Sequence, residues 1–263
     1  MLIGNTRIGG IGSLSVKNTY DPDALAYLTA VEAADGQALE NSVKVAVNTF
    51  VKGCKTDGIW TAIKASCILA GARTYLGALV PLVGTAPTNT GFGSGDYSRK
   101  LGFLGDGLSA KYINTNRSNS ADPQNSKHMA IYLSTSQARD GTRYAMGTQA
   151  GTGGSFLQIG ISTLSYRIHY SSAPSTSNTD PIIGLTGASR SASNVVNWRY
   201  NGTSYNDANI STTPTNVSVY ALSRGSSSSI TSRASFYSVG ENIDLALLDT
   251  RITTLMTTLN ALL

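Results

Sequence analysis

Apolar and polar residues keep two different rhythms along this chain. Between Asp21 and Leu69 the apolar positions recur every three or four residues, and from residue 98 to residue 240 they alternate every second residue. The first is the period of a helix with one buried face, the second that of a strand. Asp21 can cap a helix and Pro22 suits its first position, where the missing N–H costs nothing. Leu25, Leu28 and Val31 then share a face, and Gly36 ends the helix. Leu39, Val43, Val47, Phe50 and Val51 form a second stripe, closed by Gly53. Asp57 caps an expected third helix that holds Ile59, Trp60, Ile63, Cys67 and Leu69. Three short helices with one apolar face each need a partner, which is one another, the β region or another subunit. Residues 76–97 contain Pro81 and Pro87, which exclude a helix interior. Their Thr/Asn/Gly-rich half reads as a connector, with a domain boundary near residue 90.

The strand rhythm is clear at Met129, Ile131 and Leu133, at Leu157, Ile159 and Ile161, and at Leu164, Tyr166, Ile168 and Tyr170. Val217, Val219 and Ala221 form another such face, and Ala234 and Phe236 a last one. Many short strands separated by Gly, Ser, Asn and Pro predict an antiparallel sandwich. The sharpest local signal is Ile182 to Asn206. Val196, Trp198 and Tyr200 alternate with Asn197 and Arg199, Asn201-Gly202 suits a type I′ turn, and Thr203 to Tyr205 can return as the partner strand. From residue 241 onward Leu245, Leu248, Ile252, Leu255, Leu259 and Leu262 step by three and four. The run is under three heptads, so it reads either as a helix laid on its own sandwich or as a short coiled coil. Residues 1–19 are punctuated by glycine and fit a loop on their own domain or an arm on a neighbouring subunit.

The hairpin stretch carries a resemblance. Gly187-x-x-Arg190 before the strand and Tyr200-Asn201-Gly202 closing it resemble a hairpin of concanavalin-like (laminin-G-like) jelly rolls. Leu104-Gly105-Asp106-Gly107 with Lys111-Tyr112-Ile113, then His128 to Ser134, then Phe236-Tyr237-Ser238-Val239-Gly240 with Ile243 to Leu259 follow in the order of that group. The resemblance covers residues 98–262. It implies an α+β, mainly β fold: an antiparallel jelly-roll sandwich with a helical N-terminal region and a C-terminal helix. The expected organisation is an N-terminal arm (1–19), a helical anchoring region and linker (20–90) and the jelly roll with its helix (91–263). Within that group, the Gly-, Ser- and Asn-rich style and the two-part layout resemble virion proteins of tailed bacteriophages. That implies a non-enzymatic structural component, a capsid decoration or tail/fibre protein, made in a host cytoplasm and carried on the virion. The alternative is a lectin-like module that recognises cell-surface glycans as a receptor.

Composition shifts this picture toward assembly. Charged residues are 13% of the chain, about half the ~25% of an ordinary soluble domain, while hydrophobic residues make up 41%. A charge-poor surface is weakly protected against self-association, so partners of the same chain, in an oligomer or lattice, and other virion proteins are expected. The net charge of +5 is scattered, with no basic run longer than Arg99-Lys100, which argues against nucleic acid. No stretch approaches the ~18 apolar residues of a membrane span, and Met1 to Gly4 lacks a secretory pattern. Without secretion the N-x-S/T sequons at Asn116, Asn201, Asn209 and Asn216 carry no glycosylation information.

Catalytic and metal chemistry is thin. Glycoside hydrolysis needs two carboxylates flanking one bond. The only glutamates, Glu32, Glu40 and Glu241, fall outside the expected sandwich strands, and Asp96, Asp106, Asp122, Asp140, Asp180 and Asp207 sit in turn contexts. The two histidines are His128 and His169; strand alternation puts His169 on a solvated polar face, and no G-x-S-x-G elbow exists. Asp106-Gly107 offers one loop carboxylate where Ca²⁺ wants six to eight oxygens. Cys54 and Cys67 are expected as free, buried thiols, because a helical hairpin would hold them out of step. Gly151 to Gly154 lacks a following Lys-Ser/Thr and reads as a turn. No cofactor, metal or catalytic residue is assigned.

Overall fold

The computed structural model describes residues 20–108, 110–171 and 176–263; the expected arm at residues 1–19 lies outside them. Helices α1 (Pro22–Asp35) and α2 (Asn41–Thr56) come first, then strand β1 (Ile63–Ile68) and the short helix α3 (Tyr75–Ala78). There follow β2 (Thr88–Thr90), β3 (Tyr97–Ser98), β4 (Gly102–Leu104), β5 (Tyr112–Ser118), β6 (Lys127–Gln137) and β7 (Arg143–Thr148). Next are β8 (Phe156–Ile159), β9 (Thr163–Arg167), β10 (Thr176–Ser177), β11 (Ile182–Ala192), β12 (Val195–Tyr200) and β13 (Thr203–Ala208). The chain ends with β14 (Ser218–Ala221), β15 (Arg233–Gly240) and helix α4 (Leu245–Leu262). Sheet I runs β13-β12-β11-β6-β15-β4-β3, with β1 also paired to β15; sheet II runs β10-β9-β8-β7-β14-β5-β2. Every paired strand is antiparallel. The expected antiparallel sandwich with a helical N-terminal region and a C-terminal helix is what the chain forms.

The helix signals work as chemistry. Asp21 accepts a hydrogen bond from the Asp23 N–H, Pro22 opens α1, and Gly36 closes it in the left-handed region at φ 67°. Ala24 and Tyr27 join Leu28 and Val31 on the buried face, and Leu25 turns out to solvent. α2 runs past Gly53, whose missing side chain makes room for the Arg251 guanidinium of α4.

The third expected helix does not form. Trp60–Ala62 is a single 3₁₀ turn, and Ile63–Ile68 is a strand on β15, with Cys67 opposite Tyr237. Five of its six residues are buried, so both faces of β1 are covered and period two is erased. Strands from before the expected boundary at residue 90 already join the sandwich: β1 pairs with β15 and β2 with β5. Cys54 on α2 and Cys67 on β1 are free and buried, and burial pushes both thiols up to about 12.

The hairpin forms as read. β12 pairs with β13 in register, Trp198 opposite Tyr205, and Asn201 (φ 47°) and Gly202 (φ 74°) make the left-handed pair that a type I′ turn needs. Val196, Trp198 and Tyr200 are buried between the sheets. There Trp198 stacks on Tyr205 (centroids 4.2 Å apart) and on Tyr166 of β9 (5.1 Å), which joins the two sheets through aromatic faces.

Two buried cations complete the core. Lys127 on β6 is fully buried and paired with Asp122 at 2.8 Å, and Arg117 closes on the same carboxylate. Arg190 on β11 is also fully buried, and instead of a carboxylate it has a cage of carbonyls. Its Nε and Nη2 donate to Ile168 O (2.9 and 2.8 Å) and its Nη1 to Asn209 O (2.7 Å), Ser193 O and Ala192 O.

Trp198→Ala removes the largest ring of the inter-sheet stack. It is expected to cost about 3–5 kcal/mol in chemical denaturation, with Gly202→Val costing less through strain in the turn. A loss below about 1 kcal/mol for Trp198→Ala would show that the stack does not join the sheets.

Candidate functional site

A sandwich has two outer faces, and here they differ. Helix α4 lies on β6, β11 and β12 of sheet I and against α2. Asp244 caps it through the Ala246 and Leu247 N–H groups, Leu248, Ile252, Leu255 and Leu259 are buried beneath it, and Arg199 of β12 holds Asp249 at 2.7 Å. The main helix contacts fall on sheet I, on α2 and on α3. No main helix contact covers the outer face of sheet II, where Tyr112 and Asn114 on β5, Ser218 and Tyr220 on β14, Tyr144 on β7, Gln158 on β8 and Arg167 on β9 are half-buried and Phe156 and Ser165 are buried beneath their neighbours.

In the middle of that face aromatic rings and guanidinium groups alternate. Arg224 lies over Tyr144 (5.2 Å) and Phe156 (5.3 Å), and Arg167 lies over Phe156 and Tyr170 (4.4 Å to each ring). The rings meet edge to face, Tyr144 on Phe156 at 5.7 Å and Phe156 on Tyr170 at 5.5 Å. Register builds this ladder. Phe156 sits opposite both Gly147 and Arg167 on its neighbouring strands. A Cβ at Gly147 would stand 2.7 Å from the Phe156 Cβ and 3.3 Å from the Arg224 Cγ, so glycine opens the slot that Arg224 fills. Arg224 is committed to structure, donating from Nε to Thr148 O (2.7 Å) and from Nη2 to Ala150 O (2.8 Å). Arg167 has no hydrogen-bond partner among the described residues, and its Nε is closed off from solvent. Beside the ladder, Tyr112 and Tyr220 meet edge to face at 5.5 Å.

The bend after β9 sets the last rung. Strict alternation puts His169 outside and Tyr170 inside, and the structure reverses both. His169 adopts φ 47°, which breaks the two-residue period. Its ring is fully buried, with Nδ1 2.9 Å from Gln124 O and Nε2 3.0 Å from Asn119 O, and Tyr170 moves to the open face. Burial pushes the His169 pKa below the ordinary range against the pull of the two carbonyls. His128 is buried too: its Nδ1 meets Glu241 O and its Nε2 accepts from Ser238 Oγ at 2.7 Å, and burial lowers its pKa to about 4.

The other sequence candidates are scattered. Glu32 and Glu40 lie in the helical region and Glu241 follows β15. The Arg99 pairing holds Glu40 down to about 2. Asp106 accepts from Ser229 Oγ (2.6 Å) and Leu108 N–H (2.9 Å), and Asp207 lies on strand β13 rather than in a turn. Ile161 is an exposed turn residue beyond the end of β8. Among the described residues no group of three His, Cys, Asp or Glu is placed to hold a metal ion.

Several concave features compete with the open face, among them a groove of about 420 Å³ lined by Tyr27, Trp60, Val80 and Leu82. A groove of about 410 Å³ between α2 and α4 is lined by Val45, Phe50, Leu255 and Leu262; its one charge, Arg251, is held by Asp57. A polar cleft of about 330 Å³ lies between the hairpin and the start of α4. Several of its polar groups are engaged, with Asn197 accepting from Asn206, Asn242 from Ser189 and Asp244 capping α4, while the Trp198 Nε1 on its wall is buried without a partner. The ladder joins the half-buried rings of Tyr144 and Tyr170, on either side of a buried Phe156, with the uncommitted donors of Arg167 on an open sheet face.

The sequence matches no protein-family model and no curated protein. Its fold is similar to the receptor-binding domain of botulinum neurotoxin D, at TM-score 0.51 and 10% identity over 73% of this chain and 52% of that one. It is also similar to a structure of botulinum neurotoxin type C, a toxin whose cell entry depends on interaction with two ganglioside molecules, at TM-score 0.50 and 10% identity over 78% and 53%. A Trypanosoma rangeli sialidase mutant is matched more distantly, at TM-score 0.47 and 9% identity over 80% and 38%. This chain spans about half the length of the toxin structures it matches. The class is therefore a fold class, a concanavalin-like jelly-roll sandwich.

The buried histidines make the stability of the fold depend on pH. A histidine with a lowered folded pKa is neutral when folded and charges when unfolded, so its stability contribution is complete above the unfolded pKa of about 6.5 and is lost as pH falls toward the folded value. For His128 the window runs from about 6.5 to about 4 and is worth about 3 kcal/mol. Unfolding free energy should fall across that window, and His128→Gln should flatten the fall. An identical slope in the variant would contradict this.

Proposed function

We propose that this protein is a non-catalytic glycan-recognition module and that it binds saccharide on the uncovered face of sheet II. The observation that carries the reading is the ladder of Tyr144, Phe156 and Tyr170, held between two arginines on a face that no main helix contact covers. Pyranose rings present apolar C–H faces that stack on aromatic rings, and their hydroxyls need donors and acceptors beside the stack. Asn114, Gln158 and Ser218 supply these on neighbouring strands. Recognition of ganglioside by one fold neighbour and receptor binding by another support the reading by analogy of fold.

The setting is proposed on other grounds. The sequence resemblance and the low charge content support placement on a tailed-phage particle made in a host cytoplasm, assembled with copies of itself and other virion proteins through residues 20–90. On such a particle a glycan-binding face would serve host recognition.

The test is binding to an immobilised glycan array, followed by titration calorimetry on the best saccharide. Tyr144→Ala and Tyr170→Ala should each weaken binding about tenfold, the factor for a lost stacking contact of about 1.4 kcal/mol. Val45→Ser in the α2–α4 groove should leave it unchanged. Loss of binding from Val45→Ser with full binding in both tyrosine variants would move the site off sheet II.

A further inference from the structure

The ladder also carries information about the charge of its ligand. Arg167 and Arg224 share the ring of Phe156, yet their polar ends differ. Arg224 donates to two backbone carbonyls and is spent. Arg167 is held by ring faces alone, with Phe156 on one contact and Tyr170 on the other, and makes no hydrogen bond to any described residue. No described carboxylate pairs with it, whereas Arg73, Arg99, Arg117, Arg143, Arg199 and Arg251 each have an acidic partner. A guanidinium is a planar fork of donors that matches a carboxylate in two parallel hydrogen bonds, and stacking on rings fixes its plane without using those donors. Leaving such a fork unpaired wastes hydrogen bonds that a ligand oxyanion can make.

We infer that Arg167 is a specificity-determining residue of this face and that it selects saccharides carrying a carboxylate, with the sugar ring beside Tyr170 or Tyr144 and the carboxylate on the open end of the guanidinium. The inference rests on the glycan-recognition reading and deepens it. Binding of this kind is weakened by salt, because the contact is an exposed ion pair, whereas stacking is not.

The experiment uses the full chain on an array of neutral and acidic oligosaccharides that includes trigalacturonate, its methyl ester and a sulfated oligosaccharide. The ester keeps the sugar ring and removes the charge. Expected are binding of trigalacturonate at least about tenfold tighter than of its ester, a preference that shrinks between 50 and 300 mM salt, and loss of that preference in Arg167→Gln with ester binding retained. Arg167→Lys, which keeps the charge without the fork, should recover less than half of the preference, and melting temperatures of both variants report whether the face still folds. Equal binding of acid and ester by the wild-type chain overturns the selection of carboxylate while leaving glycan recognition standing. Preference for the sulfated ligand over trigalacturonate overturns the carboxylate assignment. Binding of no saccharide on the array overturns both readings.

Discussion

The structure depends on a charge that never reaches water. Arg190 is fully buried without a carboxylate, and its donors are taken by the carbonyls of Ile168, Ala192, Ser193 and Asn209. That set ties β11 of sheet I to the end of β9 in sheet II and to the segment after β13. Desolvation lowers the Arg190 pKa to about 10, which leaves it charged at neutral pH, so the cage is what makes its burial tolerable. The Ile168 carbonyl comes one residue before the left-handed His169. By fixing that carbonyl, Arg190 holds the bend that sends the His169 ring inward and Tyr170 outward. The open-face ladder is thus set by a contact made inside the sandwich.

A second constraint decides which face is free. α4 has an apolar stripe that must be covered, and sheet I supplies the cover through β6, β11 and β12, with Arg199 and Asp249 fixing the register of helix on strand. α2 then packs on α4, and Phe236 of β15 meets Phe50 of α2 edge to face at 5.9 Å. Once one outer face is used this way, sheet II keeps an open face whose outward residues, from half-buried Tyr144 and Arg167 to buried Phe156, are polar, aromatic or basic rather than aliphatic. The same division of labour, one sheet for packing and one for contact, suits a module that meets an extended polar ligand.

How much of this the sequence showed depends on how regular each element is. The β12–β13 hairpin was legible because period two, an Asn-Gly turn and a one-sided burial pattern coincide at Val196, Trp198 and Tyr200. α1 and α4 were legible from Asp21-Pro22, Gly36 and the leucine steps. The strand at Ile63–Ile68 was not, since Ile63 and Cys67 are four apart and β1 is buried on both faces, which leaves a spacing that a helix would also give. The ladder was hidden for a different reason. Tyr170 and Arg224 lie outside the regular strands and reach the face through bends, at a left-handed His169 and after a left-handed Leu222, which no alternation rule anticipates. Arg167 and Gly147 read as ordinary strand residues until register puts both opposite Phe156. The fold was legible from pattern; the site needed three dimensions.

Amide chemical-shift mapping reads directly whether ligand meets the open face of sheet II. Titrating the labelled chain with the saccharide that binds best should perturb amides of β7, β8, β9 and the Tyr170 bend, in one contiguous patch that leaves α2 and α4 still. A patch centred on the α2–α4 groove, or on the cleft between Asn197 and Asp244, would contradict the account.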